Sequence, residues 1–172
     1  YTKLAYCQDD VAGLNECVPN VGLPFHAQMR FEMTVGEQGL RRLDSMREAG
    51  CTGLTLAIEA ANYTVRQEVL DSAMREPAIF EGMKNIVDRG FKVRTEQITG
   101  LPLGTTSVET PINLEADFGL LELNIRLREE IGGPFISWGS TFAPYPGSKL
   151  GNRSVEEGFY YIARGVSVEN TL

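Results

Sequence analysis

Nowhere in the chain do about 18 predominantly apolar residues run together, so no stretch reads as a membrane span. No secretory leader pattern opens the sequence either, and the expectation is a soluble, cytoplasmic protein. Basic charge is in deficit. Sixteen Lys and Arg against 23 Asp and Glu give a net charge of -7, with a pI near 4.8. A bulk nucleic-acid binder would carry a basic field, so the charge argues against that class and no nucleic-acid partner is expected. Cysteine is scarce: Cys7, Cys17 and Cys51 are an odd set without a CxxC pair, so they make neither a disulfide framework nor a metal pair. They read as reduced thiols in or near the core. No dinucleotide fingerprint follows the first strand and no P-loop occurs. No lysine or metal triad stands at a strand end, because Lys3 and Lys92 fall early in their strands. A barrel aldolase or metal-dependent hydrolase is disfavoured on that ground.

What the chain does have is a strand-to-helix step with a carboxylate on it. Gly53 to Ile58 is a short apolar strand that ends on Glu59 and runs through Ala60 and Ala61 to Asn62. Charge inside a strand is costly, so packing explains Glu59 poorly. The mouth of a barrel or open α/β sheet, where ligands bind, explains it well. The rest of the chain repeats that unit. Strands are expected at Tyr1 to Cys7, Leu23 to Met29, Leu54 to Ile58, Phe91 to Thr99 and Pro134 to Phe142. Between them, Thr34-Val-Gly-Glu37 reads as a capping box opening a helix that Gly50 closes. Asn62 reads as the N-cap of a helix over Thr64 to Met74, and Pro77 as the first turn of another that Gly90 ends. The second half of Ser107 to Glu130 is helical in pattern. Alternating strands and helices imply parallel strands, hence an α/β fold and a partial parallel (β/α) barrel of TIM-barrel type with about five strands. Residues 1–151 form this core, and 152–172 a tail of uncertain structure.

At 172 residues the chain is one domain's worth, enough to bury roughly 68–70% of its unfolded surface. The carboxyl ends of its strands carry Asp9 and Asp10, Gln28 and Arg30, Glu59 and Asn62, then Thr95, Glu96, Gln97 and Thr99, and finally Tyr145. Carboxylates and carboxamides suit an ammonium and a ribose diol; arginine suits a carboxylate. Plainer roles compete at each position. Asp9 and Asp10 could cap a short connection, Arg30 could pair with Glu32, and His26 could be a satisfied core residue. Trp138 and Tyr145 read as packing. Parity alone leaves open whether Arg94 and Glu96, or Thr95 and Gln97, face the lumen.

Five blocks occur in the order found in radical S-adenosylmethionine enzymes. They are Leu23-Pro-Phe-His-Ala-Gln-Met-Arg30, Arg47-Glu-Ala-Gly-Cys51, Ala57-Ile-Glu-Ala-Ala-Asn62 with Val65-Arg-Gln-Glu-Val-Leu70, Gly100-Leu-Pro-Leu-Gly-Thr105, and Phe142 to Gly151. The chain resembles that family, its cobalamin-binding branch most, whose core is a partial (β/α)6 barrel. The resemblance implies roles for the matching residues. Asp9 and Asp10 would meet the methionine amino group, and Gln28 and Arg30 the methionine carboxylate and ribose. Glu59 would contact the ribose or amino group, and Gln97 and Gly100 would lie beside the adenine. It further implies a [4Fe–4S] cluster on a CxxxCxxC loop after the family's first strand, an electron donor such as flavodoxin or ferredoxin, and possible use of cobalamin through a separate domain. That strand and loop are not recognisable here; Cys7 and Cys17 have nine residues between them and cannot replace them, so the cluster ligands are expected outside this chain. The family's usual Glu-Ser-Gly-Asn reads Glu59-Ala60-Ala61-Asn62. A degenerate barrel that binds a ligand or partner without radical chemistry is the alternative. The substrate is not legible.

Overall fold

The computed structural model describes residues 23–102 and 114–158. The expected first strand, Asp9, Asp10, Cys7 and Cys17 lie outside the described residues. Within them, four strands form one sheet in the order β1-β2-β3-β4, every neighbouring pair parallel. The strands are β1 (Phe25–Met29), β2 (Cys51–Glu59), β3 (Lys92–Thr99) and β4 (Phe135–Thr141), with helices α1 (Gly36–Glu48), α2 (Glu76–Asp88), α3 (Leu114–Glu130) and α4 (Lys149–Glu156). Residues 152–156 of the expected tail are thus helical. The sheet does not close, which is the form of a partial barrel.

Alternation along the strands separates its two faces. Leu54, Leu56 and Ile58 of β2, Val93 of β3 and Phe135 of β4 are buried with Leu43, Met46, Ile79, Met83, Ile86, Leu120, Leu123 and Leu127 of the helices. One face therefore carries the core and the other carries the polar residues. Ion pairs tie the helices to one another at their surfaces, Arg89 to Asp44 at 2.6 Å and Arg126 to Glu76 at 2.8 Å. Exposed pairs of this kind contribute less than about 1 kcal/mol, so the apolar seam decides the packing.

The segment after β1 departs from the capping-box reading. Thr34 is fully buried and its Oγ1 donates to the Phe31 carbonyl at 2.7 Å, closing a short 3-10 helix, Phe31–Thr34. Helix α1 starts on Gly36 with no side-chain cap of its own. Its Gly36 N–H donates instead to Glu81 Oε1 of α2 at 3.1 Å, and Glu37 turns outward to Arg41. The orphan N–H that a local cap would satisfy is satisfied from a neighbouring helix. Gly82 of α2 makes this approach possible. A Cβ there would meet Thr34 Oγ1 and come within 3.0 Å of the Phe31 ring.

The expected helix over Thr64 to Met74 is also cut short. Asn62 does cap it, its Oδ1 accepting from the Thr64 and Val65 N–H groups at 2.8 and 3.3 Å. The chain then takes one π-helical turn, Val65–Val69, with Leu70 N–H donating to the Val65 carbonyl at 3.2 Å. Asp71, at φ 55, ends it. The side chain of Arg66, buried at this turn, donates to carbonyls before and after it, those of Ala60, Ala61 and Met74.

Candidate functional site

Parallel strands put all their carboxyl ends at one edge of the sheet, and Glu59 stands there at the end of β2. It is one of two non-glycine residues with positive φ among the described residues, at 65°. The Ala60 N–H donates back to the Ile58 carbonyl at 2.8 Å, so Glu59 is the apex of a three-residue γ-turn. The pairing slips here: Ala57 faces Glu96, but Glu59 faces Gln97, leaving an extra residue on β2. Such a bulge re-aims a side chain at a strand end. A glutamate held in this region of φ/ψ carries strain of about 1–3 kcal/mol that only the surrounding structure can impose.

Glu59 is half-buried, and burial raises its carboxyl above the ordinary value. The Arg30 cation at the end of β1 opposes that rise, Glu32 adds to it, and Arg66 opposes it. Arg30 thus stands near enough to Glu59 for its charge to be felt there, at the same edge of the sheet. Because folding raises this pKa, the contribution of Glu59 to stability is fully present below the ordinary glutamate range. It is lost as pH rises through the folded value. Wild-type minus Glu59→Gln stability, measured by urea unfolding across pH 4 to 8 (about 4 being the unperturbed value), is expected to fall with rising pH; a flat difference contradicts a raised carboxyl.

The open face of the sheet carries a polar row. His26 Nε2 lies 2.6 Å from Thr55 Oγ1, so the histidine is satisfied, although exposed and not in the core. Gln28 Nε2 donates to Glu96 Oε2 at 3.1 Å, passing over the small Ala57, and Arg94 pairs with the other oxygen of Glu96 at 3.1 Å. Arg94 also lies over the Trp138 ring, 4.7 Å from its centroid. Trp138 is 52% and Tyr145 67% exposed, so neither is the packing residue expected. This settles the parity of β3: Arg94 and Glu96 take the open face.

Gln97 consequently departs from its expected place. It is buried on the helix side, where its Nε2 donates to Asn124 Oδ1 at 2.6 Å and its Oε1 accepts from Asn124 Nδ2 at 2.9 Å. Its backbone lies beside Glu59 in the register, but both ends of its side-chain amide are occupied by Asn124 of α3. Gly100 does stand at the carboxyl end of β3, with φ 71 and its N–H donating to both oxygens of Asp117 at 3.1 Å. Its missing side chain leaves bare backbone at that edge. A groove of about 470 Å³ between α3 and β4, lined by Ile125, Phe135 and Ile136 with Asn124 on its wall, includes none of Arg30, Glu59 and Gly100.

Arg66 escaped the sequence reading. Its side chain is fully buried, with Nη1 donating to the carbonyls of Ala60 and Ala61 at 2.6 and 2.7 Å and Nε to that of Met74 at 3.0 Å. The only signal was an arginine one step after the first apolar residue of a short helical pattern.

No metal centre emerges among the described residues, where no cluster of three His, Cys, Asp or Glu could hold an ion. Cys51 is buried at the amino end of β2, opposite Glu59, and burial raises its thiol above the ordinary value. A protonated, enclosed thiol is a poor iron ligand. The described residues do not fit an iron–sulfur cluster.

No protein-family model matches the chain, and no curated protein gives a significant match. Solved structures do. Coproporphyrinogen III oxidase (HemN) from Escherichia coli, a radical SAM enzyme, superposes with a TM-score of 0.62 at 18% identity, over 83% of this chain and 31% of that one. The radical S-adenosylmethionine methyltransferase TsrM from Kitasatospora setae, solved with cobalamin and a [4Fe–4S] cluster, gives 0.58 at 14%, over 86% and 26%. The chain spans under a third of either neighbour's length. No helix among the described residues is long and apolar enough to cross a membrane. The parallel sheet and its flanking helices therefore have a fold of the radical S-adenosylmethionine type.

Proposed function

We propose that this chain supplies the S-adenosylmethionine-binding rim of a radical S-adenosylmethionine enzyme. One observation carries the reading: a strained, half-buried carboxylate at Glu59 stands within the field of the Arg30 cation where two adjacent parallel strands end. S-adenosylmethionine joins an α-carboxylate and an ammonium to a ribose diol and a flat base. Arg30 suits the carboxylate, and Glu59 accepts hydrogen bonds from the diol or the ammonium. Gly100 offers backbone without a side chain beside the base. Asp9 and Asp10 complete the ammonium contacts in this reading, and Gln97 takes no part. Thiolates for a cluster are not among the described residues, and no step through one is assigned to them. The order of the sequence blocks favours the cobalamin-binding branch.

Isothermal titration of the 172-residue chain with S-adenosylmethionine, and in parallel with 5′-methylthioadenosine, tests the reading. Saturable binding of the first and markedly weaker binding of the second is expected, because only the first carries the methionine groups. Absence of saturable binding overturns the proposal. Equal binding of the two would remove the role given to Arg30.

A further inference from the structure

The turn at Glu59 is unfavourable on its own, and something must hold it. The sequence there is Ile58-Glu59-Ala60-Ala61, with no glycine to relieve a positive φ and no side chain able to brace it. The brace arrives from seven residues downstream. Arg66 reaches back beneath the turn and donates from one nitrogen to two successive carbonyls, those of Ala60 and Ala61, while its Nε holds Met74. A planar guanidinium can serve three carbonyls at once; an ammonium cannot match that fork. Its Nη2 is buried with no hydrogen-bond partner. A cation left part-satisfied in the interior is costly, and its three hydrogen bonds to carbonyls offset that cost. The backbone around Arg66 is shaped to the same end, its N–H donating to Asn62 and its carbonyl accepting from Ser72 at 2.7 Å.

We infer that Arg66 is a positioning residue, whose grip on the Ala60 and Ala61 carbonyls sets the turn that presents Glu59 to the ligand. The inference rests on the proposed role of Glu59, yet its geometry can be tested without any ligand. The charges around the pair are Arg30 and Glu32 beside Glu59, and Glu76 and Tyr63 beside Arg66.

The first measurement needs only the wild-type chain. Arg66 Nε and Nη protons are expected to exchange slowly and to show through-hydrogen-bond couplings to the Ala60, Ala61 and Met74 carbonyl carbons. Freely exchanging protons overturn the inference outright. Arg66→Lys and Arg66→Gln then carry the functional half. In both, the three-bond HN–Hα coupling of Glu59 is expected to leave its positive-φ value. In Arg66→Gln the Glu59 carboxyl, followed by carbon-13 NMR, should titrate at higher pH than in wild type. S-adenosylmethionine affinity should fall about tenfold in Arg66→Lys, the loss that goes with one misplaced charge-assisted hydrogen bond. A lowered melting temperature with unchanged Glu59 coupling, titration and affinity would mean a purely structural arginine, and the inference would fail. If the wild type binds no S-adenosylmethionine, the functional reading fails, while the coupling and titration still decide whether Arg66 sets the turn.

Discussion

Phe31→Ala is expected to destabilise the chain by about 3–5 kcal/mol, lowering the melting temperature by roughly 6–20 °C. Phe31 is fully buried and lies in the short 3-10 helix directly after Arg30. Its ring fills the space that Gly82 leaves open in α2, and its carbonyl takes the Thr34 hydroxyl. Truncation leaves a cavity between α2 and this turn, whose spacing is already fixed by Asn85 Nδ2 of α2 donating to the Thr34 carbonyl at 2.9 Å. Collapse into the void is therefore limited, and the cost belongs at the upper part of the range. The consequence reaches the site, because Arg30 and Glu32 flank the anchor. Thermal unfolding by circular dichroism measures the effect, with Phe31→Leu as the volume-sparing control at under about 1.5 kcal/mol. A loss below about 1 kcal/mol for Phe31→Ala would show that the segment is not held by this ring.

Glu59→Gln is expected to separate stability from binding. The amide keeps the shape of the side chain and removes the charge that burial opposes. At neutral pH the variant should be no less stable than wild type, the usual sign of a site that sacrifices stability for function. Its affinity for S-adenosylmethionine should fall by about 10- to 100-fold, the scale of hydrogen bonds to a charged group, about 1.5–3 kcal/mol. Calorimetric titration and thermal unfolding on the same preparation decide it. A variant that binds as wild type removes Glu59 from the ligand site, whatever its strain.

The strands were legible because they are the most periodic parts of the chain. β2, expected over Leu54 to Ile58, extends over Cys51–Glu59, and β3 and β4 fall within a residue of their expected bounds. Helix ends marked by backbone chemistry were legible too: Gly50 and Gly90 have φ of 94 and 72, as helix-terminating glycines require. Thr34 misled because a hydroxyl can serve a local carbonyl as well as a helix N–H, and burial under α2 chose the carbonyl. The helix expected over Thr64 to Met74 misled because nothing local announces that Arg66 will be buried and will take three carbonyls. Gln97 misled because alternation gives two faces without saying which is the lumen. Asn124, 27 residues later, supplies the partner that settles it.

Local order and periodicity, which depend on spacing along the chain, were enough to determine an alternating α/β fold, parallel strands and a carboxylate at the end of the second described strand. Contact between distant segments decided the rest. The φ of Glu59, the burial of Arg66 and the turning of Gln97 toward a helix each require a partner that only folding brings near, and no residue's own preference encodes them.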